Sequence, residues 1–134
     1  VSEVAFVLAQ ATRAFPPFEL SLGSFGAFPS LARPQVVWAG VGGGAAELRA
    51  LMQAVERACA GIGFAGEERE TIPHLTLARL ARKAPATSLV SALGAERLPA
   101  DVASAVREVV LYRSELLAGG PRYTRMAAFP LGDT

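Results

Sequence analysis

One cysteine in 134 residues, Cys59, has nothing to pair with inside the chain, so an internal disulfide framework is excluded and a reducing, cytoplasmic setting is the expectation. Charge of one sign is scarce too. Thirteen Lys and Arg against twelve Asp and Glu leave a net +1 and a pI near 8.2. That excludes the sequence-wide basic field that dominates affinity in proteins holding long nucleic acid nonspecifically, so any nucleic-acid contact is expected to be local. Long apolar runs are also missing. The most apolar early stretch, Val4 to Ala9, is far too short to cross a bilayer and lacks the basic flank and small-residue cleavage site of a signal peptide; no membrane partner is expected. There is no short-period repeat, coiled-coil heptad or low-complexity tail. Histidine occurs once, at His74, with no acidic cluster beside it and the lone cysteine on another element, which speaks against a metal site.

What the chain does have is apolar side chains, 51% of the total, enough for the core of one domain spanning residues 1–134. Val1, Val4, Ala5, Leu8, Thr12 and Phe15 recur at three- and four-residue intervals and predict a helix that Pro16-Pro17 ends. Phe18, Leu20 and Leu22 alternate with Glu19, Ser21 and Gly23, the pattern of a half-buried strand, and Gly26 and Pro29 to Pro34 then punctuate a connection. Gln35 to Val41 is apolar on both faces, as in an interior strand, and Trp38 within it is expected to pack in the core. Beyond Gly42-Gly43-Gly44, the stripe Leu48, Leu51, Met52, Val55, Cys59 and Ile62 marks the clearest helix, stopped by Gly61 and Gly63. A strand over Ile72 to Leu80, a weaker helix over Thr87 to Leu93, and strands over Ala105 to Glu115 and Tyr123 to Leu131 follow, the last two joined through Gly119-Gly120-Pro121. Strands joined by hairpins and interrupted by helices predict an α+β fold with a mostly antiparallel sheet.

On a strand, His74 shares a face with Thr76, while Leu75 and Leu77 point the other way into the expected core. An imidazole exchanges protons near neutral pH and a threonine hydroxyl donates a hydrogen bond to a phosphate oxygen; such a pair suits phosphoryl chemistry without a metal. On local pattern alone, a satisfied structural histidine beside an ordinary β-forming threonine is the commoner reading.

The longer string Pro73-His74-Leu75-Thr76-Leu77-Ala78-Arg79 resembles the second His-x-Thr motif of the RNA 2′,3′-cyclic phosphodiesterases, the 2′-5′ RNA ligase family of 2H phosphoesterases. Leu22-Gly23-Ser24-Phe25-Gly26-Ala27-Phe28-Pro29, Val37-Trp38-Ala39-Gly40-Val41, Leu111-Tyr112-Arg113-Ser114-Glu115-Leu116 and Gly120-Pro121-Arg122-Tyr123 are similar to that family in the same order. The resemblance implies two antiparallel-sheet lobes, each with one His-x-Thr motif, outer helices and a cleft between the sheets. It also implies hydrolysis, without metal, ATP or other cofactor, of RNA 2′,3′-cyclic phosphate ends or small cyclic nucleotides to 2′-phosphates, which some members reverse to form a 2′-5′ linkage. His74 would be the proton acceptor that activates water, and Thr76 would help hold the phosphate. Arg79 would neutralise phosphate charge, although ideal alternation puts it on the face opposite His74. Phe25 and Phe28, read as loop residues, and Tyr123 are the candidates for substrate contacts.

In-line displacement at phosphorus needs a base and an acid on opposite sides, and the family's first His-x-Thr motif has no match here. Three explanations stay open: the motif precedes this sequence, another group is the acid, or the chain is a noncatalytic RNA-end or nucleotide binder. The opening on Val1 in mid-pattern favours the first. Tyr112, Tyr123 and Lys83 are poor surrogate acids at neutral pH. Gly40 to Gly44 follows a strand and precedes a helix but lacks the Walker lysine and a full Gly-x-Gly-x-x-Gly register, so a plain turn is expected there. Arg82 and Lys83 extend the basic run beyond Arg79, most simply as solvated surface.

Overall fold

Pro16-Pro17 ends the first helix as expected, because proline has no N–H to continue the ladder. In the computed structural model, which describes residues 2–30, 33–68, 72–80, 92 and 102–132, helix α1 spans Ser2–Arg13. Strand β1 covers Phe18–Pro29 and β2 covers Pro34–Val41. Helix α2 runs over Ala45–Ala60, followed by β3 (His74–Arg79), β4 (Ala103–Val106), β5 (Glu108–Leu117) and β6 (Gly120–Pro130). Antiparallel pairs form a four-stranded sheet in the order β3-β2-β1-β4 and a two-stranded β5-β6 ribbon, so the α+β expectation holds. No helix among the described residues is long and apolar enough to cross a membrane.

Two details differ from the sequence reading. Gly26 and Pro29, expected to punctuate a connection, lie within β1, because one extra residue of β1 between Leu22 and Phe25 is absorbed as a bulge and pairing resumes beyond it. The single strand expected from Ala105 is two, broken at Arg107, whose carbonyl accepts from the Leu131 amide at 2.9 Å. The helix expected over Thr87 to Leu93 and the basic pair Arg82 and Lys83 lie outside the described residues, except that Ala92 is helical.

Contacts divide the chain into two compact units. The first comprises Val1–Phe18, Ala50–Glu70 and Val106–Thr134. In it α1 lies against β6, and Leu8, Leu51, Phe129 and Leu131 are buried. Thr12 is fully buried too, and its hydroxyl donates to the Ala9 carbonyl at 3.3 Å, so the buried polar atom is satisfied within its own helix. Helix α2 ends where Gly63 takes φ +105° and the Phe64 amide returns to the Cys59 carbonyl at 3.1 Å, a glycine stop of the expected kind.

The second unit comprises Glu19–Arg49 and Thr71–Ala105 and holds the four-stranded sheet. Ala27, Val37 and Ala39 form its buried face. The glycine turn between β2 and α2 is tied to β1 through Ser21. The Gly42 amide donates to the Ser21 carbonyl at 2.9 Å, the Gly43 amide to its Oγ at 2.7 Å, and the Ser21 amide to the Gly43 carbonyl at 3.0 Å. Two of the loop's N–H groups are thus used internally, as befits a turn rather than a phosphate cradle. Gly44 takes φ +83°, and a Cβ there would collide with the Glu19 carbonyl. Gly44→Ala is therefore expected to destabilise the protein by about 1–3 kcal/mol, read as a lower urea midpoint at unchanged m-value.

Candidate active site

Strand β3 pairs with β2 through Gly40↔His74, Ala39↔Leu75 and Trp38↔Thr76, then slips, resuming at Val37↔Ala78 and Val36↔Arg79. Leu77 is the extra residue. A bulge inverts the alternation beyond it, so Arg79 joins His74 and Thr76 on one face instead of lying opposite them. The same register puts Val36, Trp38 and Gly40 of β2 on this face, and pairing with β1 adds Gly26, opposite Trp38, and Phe28, opposite Val36. The sequence cannot announce a one-residue slip in a strand of six.

Phe25 goes the other way. It is a strand residue opposite Ala39, and so belongs to the face of Leu75, Ala27 and Val37, away from His74. The expectation that Phe25 and Phe28 share a loop fails because β1 continues through both, and residues three apart in a strand point to opposite faces. Leu75 and Leu77, expected in the core, are 56% and 49% exposed; β3 is an edge strand with a neighbour on one side only.

The imidazole of His74 sits among aromatic rings. Its centroid lies 5.0 Å from that of Phe28, edge-on at 90°, and 5.9 Å from Trp38 at 58°, while Phe28 and Trp38 are 5.2 Å apart. On the other side Nδ1 is 2.7 Å from the Ile72 carbonyl oxygen. A carbonyl accepts only, so in the neutral imidazole Nδ1 carries the proton and Nε2 keeps its lone pair. An oriented imidazole whose Nε2 keeps its lone pair, on the same sheet face as a threonine hydroxyl and an arginine, has the groups needed to take a proton from water and to bind a tetrahedral anion.

Trp38 is half-buried on this face rather than in the core. Its face is set by pairing: Gly26 lies opposite it on β1 and leaves room for its indole. The opposite face has an apolar cavity of about 300 Å³ lined by Leu20, Leu22, Val41, Leu48 and Leu75, with His74 at its rim; it offers no cation to a phosphate. Tyr123 lies in the other unit, on β6 opposite Ser114, 64% exposed and 6.5 Å from Tyr112 between ring centroids. Among the described residues no group of His, Cys, Asp or Glu is arranged to hold a metal ion.

A sheet presenting His-x-Thr and a following arginine on one face, in an α+β chain with two antiparallel sheets, defines the 2H phosphoesterase class. The chain belongs to the 2′-5′ RNA ligase superfamily, whose family model matches residues 2–116. It is 43% identical over 112 residues to a protein of Aeropyrum pernix described as an RNA 2′,3′-cyclic phosphodiesterase, with 81% of this chain and 62% of the relative aligned. Thus the chain spans a little under two thirds of that relative's length. Among solved structures, TT0787 of Thermus thermophilus superposes with a TM-score of 0.69 at 30% identity, covering 100% of this chain and 72% of that one. E. coli LigT complexed with 3′-AMP superposes with a TM-score of 0.68 at 26% identity, covering 98% and 70%.

Proposed function

We propose that the protein hydrolyses RNA 2′,3′-cyclic phosphate ends, or small cyclic nucleotides, to 2′-phosphomonoesters without metal or ATP, and that His74 is the base. The observation that carries this is the Nδ1 contact to the Ile72 carbonyl, which leaves Nε2 as the acceptor on the sheet face that Thr76 and Arg79 share. The activity named for the Aeropyrum pernix relative and the 3′-AMP bound by LigT support the same substrate class.

His74 Nε2 takes a proton from a water whose oxygen attacks phosphorus. The P–O3′ bond breaks, leaving the phosphate on O2′, and the 3′ oxygen takes up a proton. Thr76 donates to a phosphate oxygen and Arg79 neutralises charge that grows on the equatorial oxygens. The single histidine of the chain supplies one of the two proton transfers; the other needs a group on the far side of phosphorus. With the 5′-hydroxyl of a second RNA in place of water, the same displacement forms a 2′-5′ phosphodiester as the P–O3′ bond breaks and the 3′ oxygen takes up a proton, and that step is reversible. Phe28 is the aromatic candidate beside the phosphate, and Tyr123 stays a candidate substrate contact. A cytoplasmic setting belongs to the same proposal, supported by a lone cysteine with no partner within the sequence.

A short RNA ending in a 2′,3′-cyclic phosphate, incubated in EDTA with the full-length protein, is expected to yield a 2′-phosphate. No turnover with RNA-end binding retained would instead support the noncatalytic binder of the same fold.

A further inference from the structure

We infer that Trp38, seated between Gly26 and Gly40, is a positioning residue for His74. This deepens the reading of His74 as the base and rests on it. A Cβ on Gly26 would overlap Cζ2 and Cη2 of the indole and stand 2.6 Å from Cε2, and a Cβ on Gly40 would stand 3.3 Å from Cζ3. The ring therefore lies over the Gly26 backbone, in space that exists because Gly26 has no side chain, and close against Gly40. From there it contacts Phe28 and His74, and Phe28 closes against the imidazole edge-on.

The location is not one that stability alone selects. Indole Nε1 is buried and has no hydrogen-bond partner among the described residues, and a tryptophan in a core normally satisfies that donor. The orphaned donor opposes folding, and what the ring gains in return is its contact with the two other aromatic groups. His74 has one backbone hydrogen bond, which fixes the tautomer but leaves rotation about that contact free. Two rings packed against the imidazole remove this freedom and aim Nε2.

The test is made on the full-length protein with the cyclic-phosphate RNA as substrate. His74→Ala, Trp38→Leu, Trp38→Phe, Gly26→Ala and the double variant Gly26→Ala/Trp38→Leu are compared, with melting curves confirming that each is folded. Trp38→Leu and Gly26→Ala are each expected to lower kcat about 10- to 100-fold, the scale of a misplaced catalytic group, with KM changing by less than about threefold. Trp38→Phe keeps a ring against the imidazole without the orphan donor and recovers most of the loss. The double variant is expected to be no worse than Trp38→Leu, because Gly26 acts through the indole and the two effects are therefore not additive.

If His74→Ala is inactive while Trp38→Leu turns over like wild type, or if the two single effects multiply in the double variant, the positioning role is wrong and the base assignment stands. If His74→Ala is as active as wild type, the base assignment itself falls, and the positioning role with it.

Discussion

His74→Ala is expected to lower kcat for hydrolysis of a 2′,3′-cyclic phosphate RNA by about 10²- to 10⁴-fold, the usual contribution of a positioned acid or base. RNA-end affinity is expected to change little, because in the proposed mechanism Nε2 acts on the attacking water while Thr76 and Arg79 hold the anion. Initial rates and a separate binding titration on the same preparations distinguish the two quantities. A loss of affinity equal to the loss of rate would make His74 a phosphate ligand, and with it the noncatalytic reading of the fold. His74→Gln makes the comparison stricter. Its amide can occupy the space between Phe28 and the Ile72 carbonyl, yet it cannot accept a proton.

The second large effect concerns the hydroxyl two residues along. Thr76 lies opposite Trp38 in the sheet and on the face of His74 and Arg79. Thr76→Val preserves shape and β-branching, so the strand keeps its geometry, but it withdraws the hydrogen-bond donor aimed at the phosphate. Loss of one such donor costs on the order of 10²-fold in kcat where the bond strengthens in the transition state. Thr76→Ser restores the hydroxyl and is expected to recover most of that activity. Full activity in Thr76→Val with loss in Thr76→Ser would mean that the methyl group, and hence packing of the strand, is what matters at this position.

How much of this was readable from the sequence depended on whether the signal was local. The helix from Ala45 was legible because its apolar stripe has a period of 3.6 and glycines bound it on both sides. His74 and Thr76 were legible because a period of two survives over three residues. Arg79 was not, since its face depends on the slip at Leu77, which is a property of how β3 pairs with β2. Phe25 and Phe28 failed together for a related reason. Gly26 and Pro29 read locally as turn signals, yet both lie in β1, where Gly26 leaves room for an indole. Trp38 was assigned to the core by its apolar neighbours, and only the pairing with Gly26 shows which face it occupies. The resemblance to a family identified the chemistry; the register decided which residues stand beside it.

The central claim is that Nδ1 of His74 holds its proton on the Ile72 carbonyl and leaves Nε2 free to accept another. Long-range proton–nitrogen spectra of the full-length protein, labelled at its histidines and recorded where the ring of His74 is neutral, read that directly. The proton is expected on Nδ1 of this residue, with Nε2 unprotonated. A spectrum showing the proton on Nε2 would contradict it, because the nitrogen assigned to activate water would then have no lone pair to offer.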